Sequence, residues 1–219
     1  MTDHQIQIQE RIKTYTNMGF YSQKELTDII LSIVEDYELT DKTTKKWIRE
    51  IIKKEYENRL AQSITWTHPT DPEKLKIAFD ELCSECKIIS LHNQGYENSD
   101  AIAEVSSLWA DFEEYEIEPK AVGYCYYHYQ DLEIALNPES KTLLIGFDSL
   151  EEDENKRQIE QLKIGRQIAK KLVNNGLKIK WDETNNNKIE IINIDWLRIF
   201  NDDKEEWDSA RVLDLIQED

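Results

Sequence analysis

Residues 122–136, Val-Gly-Tyr-Cys-Tyr-Tyr-His-Tyr-Gln-Asp-Leu-Glu-Ile-Ala-Leu, place a strand directly against a short helix. Val122–Tyr127 is dense in aromatic residues, which suit a pleated surface. Strand alternation sends Tyr124, Tyr126 and His128 to one face and Cys125 and Tyr127 to the other. Asp131 opens a short helix around Leu132–Leu136, where it is placed to cap the helix or to orient His128. A second strand, Thr142–Phe147, follows after a short connection. Such connections favour neighbours in a mixed, largely antiparallel sheet over a doubly wound parallel one.

Reading toward the C-terminus, Ser149 and Glu152 are spaced to cap the longest helix of this half, which reaches about Asn175. Gly176 ends it, with Leu177 placed to touch Leu172 in a Schellman cap. Lys178–Trp181 and Lys188–Ile194 read as strands joined through the polar turn Asp-Glu-Thr-Asn-Asn-Asn. A last amphipathic helix, about Lys204–Ile216, carries Trp207, Ala210, Leu213 and Ile216.

Reading toward the N-terminus, Asn98 or Ser99 starts a helix with Ile102, Val105, Leu108, Trp109 and Phe112 on one face. Ile88–Leu91 is a short strand. Before it, Asp71 caps a helix whose Pro72 sits where a missing amide proton costs nothing. Three helices precede residue 62. The first ends near Gly19. The second begins with the Ser22–Glu25 capping-box spacing and a Tyr21–Leu26 staple. The third, capped by Thr40 or Asp41, carries the stripe Trp47, Ile48, Ile51, Ile52 and Tyr56. The fold class is therefore α+β: a helical N-terminal part packed on a mixed, largely antiparallel sheet of about five strands, with helices on one face. Residues 1–65 form the helical part, 66–201 the α+β domain, and 202–219 an acidic C-terminal helix.

The chain has 219 residues, enough for one large domain or two modest ones without disulfides. Hydrophobic residues make up 39% and ten Tyr and six Trp are present, so the chain carries enough apolar surface for a core despite 33% charged residues. A net charge of −18 argues against a nucleic-acid partner, which needs clustered Lys and Arg. No apolar run approaches about 20 residues, which argues against a membrane span or leader. Three cysteines suit a reducing compartment, and the expected location is cytoplasmic.

The acidity is uneven. Residues 96–160 carry 17 Asp and Glu against 4 Lys and Arg, whereas 161–201 carry 4 against 8. The densest run holds Asp111, Glu113, Glu114, Glu116 and Glu118, followed later by Glu151–Glu154. Such runs commonly form solvated loops and helix ends. Their functional reading is a patch that docks a basic protein and speeds its association.

Few residues point to chemistry. Cys83 and Cys86 form a CxxC pair, but late in a helix, where the dipole does not favour a thiolate. Zinc ligation with His92 and either Cys125 or His128 would match no compact module, so core cysteines, no metal and no cofactor are expected. His128 with Asp131 would make a base and its orienting carboxylate; the competing reading is a His–Asp bond that fixes the strand-to-helix turn. Zincin, Rossmann, P-loop and nucleophile-elbow motifs are absent from the sequence.

The stretch Gly-Tyr-Cys-Tyr-Tyr-His-Tyr-Gln-Asp-Leu, the preceding Asn-Gln-Gly-Tyr-Glu-Asn-Ser-Asp, and Ile-Gly-Arg-Gln followed by Trp-Asp-Glu resemble an uncharacterised bacterial domain-of-unknown-function family. The resemblance spans roughly residues 66–196, with Trp66 and Asp71 matching positions ahead of the first helix. It implies no activity, substrate or partner. It groups Tyr96, Asp100, His128, Gln130, Asp131 and Trp181 as one candidate cluster. Members often carry Gly where this chain has Tyr129 and Glu183, which counts against a tight glycine-dependent ligand contact there.

Two functions follow as expectations. The first is a non-enzymatic acidic protein, immunity-like or regulatory, that binds a basic protein through Glu113, Glu114 and Glu116, with Tyr96, Asp100, Tyr124, Tyr126, Gln130 and Trp181 as further contact candidates. The alternative is a small hydrolase-like enzyme using His128 and Asp131.

Overall fold

The computed structural model describes residues 2–36, 42–114, 121–201, 207 and 210–217. The chain divides into two compact units, Met1–Thr70 with Trp196–Asp202, and Asp71–Asp195 with Asp203–Asp219.

The first unit holds α1 (Asp3–Met18), α2 (Gln23–Asp36) and α3 (Lys42–Ser63). Gly19 closes α1 in the left-handed conformation, φ 75°, which costs glycine little because it has no Cβ. Ser22 and Glu25 form the reciprocal box that starts α2, with Glu25 N donating to Ser22 Oγ at 3.2 Å and Ser22 N donating to Glu25 Oε2 at 2.8 Å. Ile8, Ile12, Leu26, Ile30, Val34, Ile48 and Ile52 make its core. The expected cap of α3, Thr40 or Asp41, lies outside the described residues. The returning segment is held by Arg59, which is buried and donates to Trp196 O at 2.7 Å and Arg198 O at 3.1 Å, its guanidinium 4.7 Å above the Trp66 ring.

The second unit runs α4 (Asp71–Cys86), β1 (Ile88–Leu91), α5 (Asn98–Glu114), β2 (Gly123–Tyr126), α6 (Tyr129–Leu136), β3 (Thr142–Ser149), α7 (Glu154–Asn174), β4 (Ile179–Lys180), β5 (Ile189–Ile192) and α8 (Ala210–Gln217). The five strands lie in the order β1-β2-β3-β5-β4. Only β1 and β2 are parallel, joined by the α5 crossover; the other pairs are antiparallel. This is the expected α+β class with a mixed, mostly antiparallel sheet.

The helices cover both faces of the sheet, where the sequence suggested one. Ile89, Leu91, Tyr124 and Tyr126 form one core with Ala101, Val105 and Leu108 of α5 and Val212 and Ile216 of α8. On the other face, Gly123 lies under Ile164 of α7, so close that a Cβ would stand 2.3 Å from its Cδ1. The cause is that strand residues alternate, and both Tyr124/Tyr126 and Cys125/Tyr127 are buried.

Other local expectations meet mixed outcomes. The Schellman end of α7 is present: Leu177 N donates to Leu172 O at 3.0 Å and Gly176 N to Val173 O at 2.9 Å, with Gly176 at φ 84°. Its start differs, because Asp153 is the N-cap, accepting from Asn155 N and Lys156 N, while Ser149 ends β3 and accepts from Glu151 N. Two amides are better satisfied by a carboxylate than by a hydroxyl several residues away. Asp71 is the first residue of α4 rather than its cap; its carboxylate accepts from Asp195 N at 3.0 Å and pairs with Lys74.

Candidate functional site

β2 delivers its side chains as the alternation requires. The Tyr124 and Tyr126 rings stack 6.2 Å apart, and the His128 ring follows 6.3 Å beyond Tyr126. The backbone of His128 is extended, φ −117° and ψ 179°, and it is the N-cap of α6. Asp131 N donates to His128 Nδ1 at 3.3 Å, and His128 N donates to Asp131 Oδ2 at 3.2 Å. The two residues thus build a capping box in which an imidazole does the work usually given to a hydroxyl. His128 is 5% exposed and Asp131 2%.

Two residues remote in sequence complete the cluster. Lys188, just before β5, places Nζ 3.0 Å from both Asp131 carboxylate oxygens and 3.2 Å from His128 Nε2. Asn98, at the start of α5, offers Oδ1 to His128 Nε2 at 3.1 Å and accepts from Tyr126 OH at 3.1 Å. Because Nδ1 accepts a backbone proton, Nε2 carries the ring's own proton and donates to Asn98. Burial holds the His128 ring below its ordinary pKa; Asp131 opposes this and Lys188 reinforces it. Burial also pushes the Tyr126 hydroxyl up to about 12, helped by the Tyr124, Asp131 and Asp148 charges.

The other candidates are distributed around this cluster. Tyr96, 57% exposed, stacks on Tyr129 with ring centroids 5.4 Å apart. Asp100 Oδ2 accepts from Tyr96 N at 2.7 Å and Glu97 N at 3.1 Å, and these two donors hold its carboxyl below the usual range. Gln130 is half-buried, and its side chain forms no hydrogen bond among the described residues. Trp181 meets Phe147 edge-to-face at 5.6 Å and donates Nε1 to Thr184 O and Asn187 O. Together with Leu144, Lys180, Asp182, Asn187 and Lys188, Trp181 lines an open groove of about 500 Å³. Lys188 is therefore the one member of the buried cluster that also borders this groove, its side chain 24% exposed. Glu113 and Glu114 lie in the last turn of α5, but their side chains, and Glu116 altogether, lie outside the described residues.

Cys125 alternates onto the opposite face, whereas Cys83 packs in the core that Tyr124 and Tyr126 share with α5 and α8. Cys125 donates to Ser90 Oγ at 3.3 Å, and burial pushes its thiol far up; burial raises Cys83 to about 11. His92 stacks on Phe79 at 4.7 Å and contacts Tyr127 OH at 3.3 Å. Among the described residues no group of three or more His, Cys, Asp and Glu side chains is placed to hold a metal ion, and no helix is long and apolar enough to cross a membrane.

Sequence reasoning reached His128 and Asp131 but missed Lys188. A lone cation ahead of a short strand carries no local signal, and its carboxylate lies 57 residues away in sequence. Asn98 was legible only as a helix start.

Fold and cluster together define an α+β protein with a mixed sheet and a buried histidine-capped helix. The family model described as Domain of unknown function (DUF6891) matches residues 1–200, and the chain belongs to that family. No curated protein and no solved structure matches it.

Proposed function

We propose that the protein is a non-enzymatic binding or regulatory protein whose acidic surface, contributed by residues 96–160, docks a basic protein partner. The observation that carries this reading is uncompensated charge. Glu104, Glu133, Glu139, Glu151 and Glu152 are exposed or half-exposed and form no ion pair among the described residues. Two of the segment's cations are already paired, Arg157 with Asp148 of the same segment and Lys141 with Asp195 outside it. A surface that leaves carboxylates unpaired gains little in stability, whereas it attracts a cationic partner over a Debye length.

The hydrolase-like reading has less behind it. A general base needs a lone pair directed at a substrate proton. In His128, Nδ1 is occupied by a backbone amide and Nε2 faces Asn98. This is the geometry of a structural cap.

The test is the salt dependence of association with a captured basic partner. Raising salt from about 0.05 M to about 0.5 M should slow association at least about tenfold, and charge reversal at Glu113, Glu114 and Glu116 together with Glu151 and Glu152 should do the same at low salt. A rate indifferent to both changes would rule the reading out.

A further inference from the structure

We propose that His128 is an acid-operated latch, which holds the start of α6 and the segment 94–98 closed while its ring is neutral and releases them when a proton from solvent is added at Nδ1. The basis is the donor and acceptor count around the ring. A neutral imidazole has one acceptor nitrogen, and here Asp131 N points at it from 3.3 Å. An imidazolium has two N–H groups and no acceptor. Protonation therefore sets one N–H against another at the helix start, and the cap on α6 fails.

The surroundings add to that conflict. From the approach to β5, Lys188 Nζ lies 3.2 Å from Nε2, so a cationic ring would place two positive charges in contact. From α6, Asp131 Oδ2 lies 3.2 Å from Nε2, but both carboxylate oxygens are already shared with Lys188 at 3.0 Å. From α5 and its approach, Asp100 and Glu97 act on the ring at longer range, both favouring the cation. From β2, Tyr126 presents its ring and shares Asn98 Oδ1 with Nε2. Burial outweighs the carboxylates, so the ring stays neutral until the medium is more acidic than its usual titration range.

The latch reaches beyond α6 because the neighbouring segment is tied to the same place. Gln94 N donates to Tyr127 O and Tyr129 N donates to Gly95 O, each at 3.1 Å. Gly95 is at φ 65°, and a Cβ there would stand 2.0 Å from Asp100 Cβ, so this turn has little room to adjust. Loss of the α6 cap loosens the backbone on either side of His128, where Tyr127 O and Tyr129 N anchor residues 94–98 and with them the exposed Tyr96.

The experiment follows the full chain by nuclear magnetic resonance from about pH 8 to about pH 5, reading the His128 ring protons and the Asp131 and Tyr129 amides. The Asp131 amide shift should titrate with the ring. After correction for intrinsic exchange, its protection should fall by about tenfold or more across that midpoint. His128→Asn supplies a cap that does not titrate, and in it the Asp131 and Tyr129 amides should keep their protection throughout. Amides in wild type that ignore the ring's titration, or an equal loss of protection in H128N, would overturn the proposal. Should H128N fail to fold at about pH 8, the wild-type titration decides alone.

Discussion

Two histidines follow two neighbouring parallel strands, and they live in opposite surroundings. His92 comes directly after β1, and His128 comes one residue later relative to β2, since Leu91 and Tyr126 are partners in the register. That single residue of offset puts the two rings on opposite faces, because side chains alternate with period two. His92 lies among rings, stacked on Phe79 at 4.7 Å and edge-on to Trp207 at 4.6 Å. His128 lies among charges and amides, with Asp131, Lys188 and Asn98 within hydrogen-bond reach. Both are buried. Burial alone therefore does not set a histidine's task here; the parity of its position does.

The largest effect should come from Lys188. Lys188→Met leaves the Asp131 carboxylate buried without its cation, and unfolding in urea should show a loss of about 3 kcal/mol, near the low end for a broken buried pair because Lys188 reaches solvent. A loss below about 1 kcal/mol would mean that the His128 amide and ring suffice to hold the Asp131 carboxylate. His128→Ala should cost about 2 kcal/mol, combining a lost cap with the lost bond to Asn98, and His128→Asn should restore about half. On the other face, His92→Phe keeps the ring stacking and should cost only about 1 kcal/mol through its contact with Tyr127 OH. If the His92 and His128 substitutions cost the same, the contrast between the faces has no energetic content.

Acidity should separate the faces further. The folded His128 ring binds its proton less readily than the unfolded one, so its contribution to stability is whole above about pH 6.5 and disappears as the pH falls through the lower folded value. Denaturant midpoints measured down that range should fall in wild type and fall less in H128N. The smallest change is Tyr126→Phe. Asn98 Oδ1 keeps its bond from His128 Nε2, so the loss should stay near about 0.5–1 kcal/mol, again by urea unfolding.

What could be read in the sequence was mostly local. The Ser22–Glu25 box, the Gly176–Leu177 helix end and the alternation of Tyr124, Tyr126 and His128 all depend on residues within a few positions of one another. The α+β class followed from short connections, and the parallel β1–β2 pair is accommodated by the α5 crossover. Lys188 and Asn98 were not legible as members of the cluster, since their contacts with His128 span 60 and 30 residues. The cap of α7 was misassigned because Ser149 and Asp153 both precede a helical pattern, and the carboxylate's ability to take two amides decided between them. Helices on both faces escaped notice because a strand whose two sides are both aromatic does not announce a solvent side.

The segment beginning at Trp196 has a consequence for the wiring of the chain. Its carbonyls are the acceptors for Arg59, and Trp196 Nε1 in turn donates to Met18 O at 3.1 Å. Both units are thus discontinuous: the chain leaves the first after Thr70, returns to it at Trp196, and resumes the second at Asp203. A fragment ending at residue 70 would remove two of the three carbonyls that accept from the Arg59 guanidinium and leave Asn17 O, whereas a shortened chain that joined Thr70 to Trp196 through a linker and ended at residue 202 would keep all three. Cotranslationally, the three N-terminal helices must wait for more than half the chain to emerge before their last partner arrives.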